Sequence, residues 1–109
     1  MDTLSDPPMY FDMEGIPITL RQWSDAMAIS ARDLRVIRSE YIGSYFISTV
    51  WLGLDHSFDS GPPLIFETMI FDKSGNPDSW SDIYMDRYPT KAEALEGHLK
   101  AVEYAKSLG

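Results

Sequence analysis

Two apolar runs, Tyr45 to Leu54 and Leu64 to Phe71, stand on either side of a polar stretch rich in Asp, Ser, Gly and Pro. Both alternate with the period of a strand. In the first, Phe46, Ser48, Val50, Leu52 and Leu54 fall on one face, and Tyr45, Ile47, Thr49, Trp51 and Gly53 on the other. In the second, Leu64, Phe66, Thr68 and Ile70 oppose Ile65, Glu67, Met69 and Phe71. Neither face of the first run is plainly polar, so it reads as a central strand covered on both sides at least in part. A chain built round such a pair must supply further strands to its edges and apolar cover to its faces.

The flanking sequence supplies both. Leu34 to Ile42 alternates with a mixed face, and Gly43-Ser44 is a tight turn that makes it the hairpin partner of the Tyr45 run. Asp72 to Ser79 is turn chemistry, and Trp80 to Tyr88 reads as a further strand ended by Pro89. Thr90 and Glu93 form a capping box that starts a helix running to about Leu108. Its stripe of Leu95, His98, Leu99, Val102 and Ala105, flanked by Ala94 and Ala101, is expected on the sheet. Thr19 and Gln22 form a second capping box, with Ile18 and Trp23 at staple positions, before a short helix from Leu20 to about Ala28. Met9 to Met13 is a short strand closed by a Glu14 to Pro17 turn, and Met1 to Pro8 is expected to be a mobile tail. The sum is one α+β domain over residues 1–109. It has an antiparallel sheet of about four strands, a long C-terminal helix on one face and a short N-terminal helix.

Composition narrows the chemistry. The 109 residues include no cysteine, which excludes disulfides, thiolate metal sites and cysteine nucleophiles. A net charge of −8 repels phosphate backbones, so direct nucleic-acid binding is not expected. The acidic, polar start is unlike a signal peptide, and no apolar run approaches the roughly 20 residues that span a bilayer. The expectation is a soluble protein that makes no membrane contact and stays in the compartment where it is made.

Six residues are candidates for a binding site: Thr49, Trp51, Asp55, His56, Glu67 and His98. His98 interrupts an apolar helix stripe and needs hydrogen bonds if it is buried. Facing the sheet, it would meet Glu67 or Thr49 and make a polar pocket between helix and sheet. Glu67 is a mid-strand carboxylate that either finds such a partner or points to solvent. Asp55, His56 and Asp59 bring oxygen and nitrogen ligands within five residues, but a metal needs convergent ligands from other elements, so no metal or other cofactor is assigned. Trp51, Trp80, Tyr84 and Tyr88 are candidates for an aromatic interface patch or for the core. No serine sits in a nucleophile elbow, and no catalytic residue is assigned.

The segments S-T-V-W-L-G-L-D-H (Ser48 to His56) and G-P-P-L-I-F-E-T-M-I-F (Gly61 to Phe71) resemble the signature of a family of small acidic proteins encoded in bacteriophage and prophage genomes. The likeness extends to D-R-Y (Asp86 to Tyr88) and E-A-L-E-G-H (Glu93 to His98). It implies a virus-encoded accessory protein of the host cytoplasm and carries no catalytic residue. Two expectations follow. The first is a non-enzymatic binding module for a host or phage protein, antagonising a host process. The second is a small-ligand or nucleotide-binding protein, with hydrolysis as its chemistry, using the pocket between helix and sheet. The sequence leaves oligomeric state open.

Overall fold

The computed structural model describes residues 9–28, 34–55 and 61–108. In chain order the elements are β1 (Tyr10–Phe11), β2 (Pro17–Ile18), α1 (Leu20–Ala26), β3 (Val36–Ile42), β4 (Tyr45–Trp51), β5 (Phe66–Asp72), β6 (Asp82–Tyr88) and α2 (Lys91–Leu108). β1 and β2 pair in a small ladder of their own, while β3 to β6 form one antiparallel sheet in the order β3-β4-β5-β6. α2 lies across one face of that sheet and reaches all four strands. This is the α+β architecture expected from the sequence. The expected tail, Met1 to Pro8, lies outside the described residues.

Local chemistry sets the connections. Gly43 takes a φ of +61°, which lets Gly43-Ser44 join β3 and β4 in a two-residue turn. Between β5 and β6, Asp72 Oδ1 accepts from Ser74 N at 2.9 Å and Asn76 Oδ1 accepts from Asp78 N at 3.0 Å. α1 carries the full capping box: Gln22 N donates to Thr19 Oγ1 at 3.1 Å, and Thr19 N donates to Gln22 Oε1 at 2.8 Å. At α2, Glu93 N donates to Thr90 Oγ1 at 3.1 Å.

The core on the α2 side has two parts. Phe11, Trp51, Ile65, Phe66, Tyr88 and Ala94 form one cluster, against which Met13, Ile18, Trp23, Ala26, Met27 and Ile37 pack. Ile47, Ile70, Ala101, Val102 and Ala105 form the other, joined by Ile42, Tyr45 and Tyr84. Two indole N–H groups tie the N-terminal unit to the end of the sheet. Trp23 Nε1 donates to Leu52 O at 2.9 Å, and Trp51 Nε1 donates to Phe11 O at 3.2 Å.

The helix meets the sheet through a different stripe from the one its leucines mark. Leu95 and Leu99 are 37% and 52% exposed, and the buried residues are Ala94, Gly97, His98, Ala101, Val102 and Ala105. Small side chains win this face because they let the helix backbone approach the strands closely. Gly97 makes the closest approach: a Cβ there would lie 2.2 Å from Cζ and Oη of Tyr88. At the other elements the differences are small. α1 ends at Ala26, and β3 begins at Val36, with its register against β4 slipping between Val36 and Arg38. β4 is central, as expected, but no described helix covers its Phe46, Ser48 and Val50 face.

Replacing Gly97 by Ala tests this approach. Alanine gains about 1 kcal/mol of intrinsic helix propensity. Its methyl is driven into a buried phenol ring, an overpacking that costs roughly 1–3 kcal/mol. The net is a loss of up to about 2 kcal/mol, so the expected outcome is a melting temperature lower by several degrees, read by circular dichroism. A higher melting temperature would show that Tyr88 moves aside freely.

Candidate functional site

Between the two apolar clusters lies a polar layer, one residue deep, contributed by three elements. Along β4 the α2-facing residues run Ile47, Thr49, Trp51, and along β5 they run Ile70, Thr68, Phe66. α2 repeats the pattern, with Ala94 in one cluster, Ala101 in the other and His98 between them. Thr49 and Thr68 are register partners, and their Oγ1 atoms are 2.5 Å apart. Thr49 Oγ1 is 2.7 Å from His98 Nδ1, and His98 Nε2 is 2.7 Å from Glu40 Oε2 on β3. Arg38 Nε donates to the same Glu40 oxygen at 3.1 Å.

The directions of these bonds are constrained. A carboxylate only accepts, so His98 Nε2 donates to Glu40. From Nδ1 onward the two threonine hydroxyls must then run in one consistent sense, toward the ring if Nδ1 accepts and away from it if Nδ1 donates. The hydrogen bond from His98 is the first cause holding the Glu40 carboxyl below its ordinary value of 4.5. Burial opposes the shift and the Arg38 charge assists it. Beyond Thr68 sits Tyr88, whose Oη is the one buried side-chain polar atom without a hydrogen-bond partner among the described residues. Burial pushes its phenol up, and the neighbouring Thr68 hydroxyl offsets this only in part.

Thr49, His98 and Glu40 have the connectivity of a nucleophile, base and orienting carboxylate. They lack access. Thr49, Thr68 and His98 are each 0% exposed, and of the four bonded residues only Glu40 touches solvent. A substrate carbonyl has no route to Thr49 Oγ1 while α2 stays in place. The arrangement therefore does what buried polar groups do when fully bonded: it fixes which residues face each other across the helix and the sheet.

The structure separates the remaining candidates. Glu67 is on the opposite face of the sheet from His98 and accepts from Arg87 Nε at 3.0 Å, its register partner on β6. The partner that sequence reasoning missed is Glu40. No local signal set it apart from Glu67, since both are carboxylates within alternating strands. Trp51 belongs to the core beside the polar layer. Asp55 Oδ1 accepts from Leu64 N at 3.0 Å, across the base of the intervening loop. His56 and Asp59 lie outside the described residues. Among the described residues no group of three His, Cys, Asp or Glu could hold a metal ion, and no helix is long and apolar enough to cross a membrane.

Among the described residues, the face away from α2 is uncovered and aromatic. Trp80 meets Phe71 edge-on at 5.0 Å between ring centroids, and Phe46 at 6.3 Å. Tyr41 lies against Phe46 at 4.9 Å. The Lys73 ammonium sits 3.4 Å from the centre of the Trp80 ring and donates to Ser79 O. Beside these rings runs a groove of about 340 Å³ lined by Val36, Ser39, Ser48, Val50, Glu67 and Met69. Of the four residues expected to form an aromatic patch, only Trp80 is here. Trp51 and Tyr88 are in the core, and Tyr84 is on the α2 side against Tyr104 at 5.5 Å. Strand parity explains this: Tyr84 and Tyr88 share the face that α2 covers.

No protein-family model, curated protein or solved structure matches the chain.

Two measurements check the polar layer. Thr49→Val removes a hydroxyl that serves both His98 and Thr68, and stranding buried partners in this way costs about 1–3 kcal/mol, read by urea unfolding. The second concerns acid. A carboxyl whose value is lower in the folded state contributes stability at pH above its ordinary value and loses it as pH falls through the folded one. Glu40→Gln should therefore unfold with a flatter pH dependence than the wild type below the ordinary value of 4.5. Parallel profiles would mean that the carboxylate is not coupled to folding.

Proposed function

We propose that this chain is a phage-encoded accessory protein of the host cytoplasm. It acts as a non-enzymatic binding module for a host or phage protein and docks through the open face of its sheet. One observation carries the reading: among the described residues the bonded polar groups Thr49, Thr68 and His98 are sealed under α2, while Val36, Tyr41, Trp80 and Met85 stand exposed on the opposite face of the sheet. Tyr41, Trp80 and Met85 are 62%, 64% and 48% exposed there. An exposed patch of aromatic and Met side chains with few unpaired charges is the composition of a protein interface. The resemblance in the Ser48 to Phe71 segment supports the viral context. The reading of a ligand pocket between helix and sheet draws no support from side chains that are fully buried and bonded to one another.

The test is a pull-down from infected cells with tagged wild type, Tyr41→Asp, Met85→Asp and, on the outer side of α2, Leu99→Asp. The expected outcome is a protein recovered by wild type and Leu99→Asp and lost by both face variants, with all four folded by circular dichroism. Recovery by the face variants, or turnover of a small molecule by the purified protein, would sink the reading.

A further inference from the structure

We infer that the occupant of the open sheet face is a second copy of this chain, packed face to face in a weak two-fold dimer with α2 on the outside of each copy. The inference rests on the reading of that face as a protein interface and adds which protein fills it.

Charge is the first argument. The chain carries −8, yet the charges at the centre of the open face cancel within each copy: Glu67 is bonded to Arg87. Lys73 is held on the Trp80 ring and the Ser79 carbonyl. A face with an acid and a base side by side is complementary to itself under a two-fold rotation, which can set Glu67 of one copy near Arg87 of the other. Part of the surplus acid sits elsewhere, with Glu93, Glu96 and Glu103 exposed on α2, while Asp82, the register partner of Phe71, marks a corner of the open face. Across two stacked layers, such groups are separated by more than the screening length of about 8 Å at physiological salt.

Relief is the second argument. Ser39 and Ser48 are register partners, so the middle of the face is low, and the groove runs over them. Trp80 at 64% exposure and Tyr41 at 62% stand proud of the same face. A ridge and a hollow on one surface allow each copy to fill the other. Size is the third. Four strands about 4.8 Å apart and seven residues long present a footprint of roughly 450 Å² per copy before side-chain relief. Two copies then bury about 900 Å² or more, below the roughly 1,200 Å² at which stable specific interfaces begin and in the range of weak, transient ones. The dimer is therefore expected in the micromolar range.

The net charge gives the inference a sign that an unlike, basic partner would reverse. Salt screens the repulsion between two acidic copies and leaves the apolar contact, so self-association must tighten as salt rises. Sedimentation velocity across the micromolar range at low and high salt is the experiment. The expected result is a monomer–dimer equilibrium whose Kd falls several-fold on raising the salt. Trp80→Ala and Tyr41→Ser, both at exposed positions, should each weaken it about tenfold or more, the scale of an interface hot spot. Leu99→Ala on the outer side of α2 should leave it unchanged. A monomer at every concentration and salt, or a dimer broken by Leu99→Ala and not by Trp80→Ala, overturns the inference. A monomer whose face variants nevertheless lose a captured protein would overturn it while leaving the interface reading standing.

Discussion

Everything on the α2 side of the sheet depends on the bonding of one buried histidine. His98 is fully enclosed, and an enclosed imidazole needs partners for both ring nitrogens. Thr49 and Glu40 supply them from two adjacent strands, and Thr68 extends the chain of bonds to a third. The two apolar clusters on either side oppose a shift of α2 by a turn through packing, most sharply where Gly97 meets Tyr88. The polar layer does not tolerate it, because any shift strands Nδ1 or Nε2. Specificity of this kind is the best-attested role of a buried polar group, and it explains a histidine where a leucine would bury more apolar surface.

The same layer accounts for the small residues of α2. Hydrogen bonds of 2.7 Å from a helix side chain to strand side chains hold the two backbones close. Ala94, Gly97, Ala101 and Ala105 allow that distance, and the Tyr88 ring fills the space that a side chain at residue 97 would need. The leucines are displaced to the flank of the helix. One consequence, among the described residues, is a two-layer fold whose helix α2 covers one side of the sheet alone. The opposite face, with Phe46, Phe71 and Trp80, keeps its apolar groups in contact with one another and with solvent.

Much of the fold was legible in the sequence. Period-two alternation, Gly43-Ser44, the two capping boxes and Pro89 placed four strands and two helices near their observed positions, because each signal acts through bonds a few residues long. The candidate site was legible in part. His98 announced itself as a polar break in an apolar stripe, and Thr49 as a β-branched hydroxyl on the same face as Ile47 and Trp51. Glu67 and Glu40 are both carboxylates in alternating strands, and nothing local distinguishes the one that points to the helix. Their separation comes from strand parity and from the one-residue slip at Ile37, which the alternation alone does not reveal.

By itself, then, the sequence determined the kinds of element, their order and the presence of a polar group needing partners inside an apolar helix face. Those properties follow from backbone hydrogen bonding and side-chain periodicity, which are local. The tertiary structure decided which carboxylate meets His98, which stripe of α2 is buried and which face of the sheet stays open. Those outcomes turn on how closely two surfaces can approach, and that distance is set jointly by Gly97, Tyr88, Thr49 and Glu40, residues far apart in the chain.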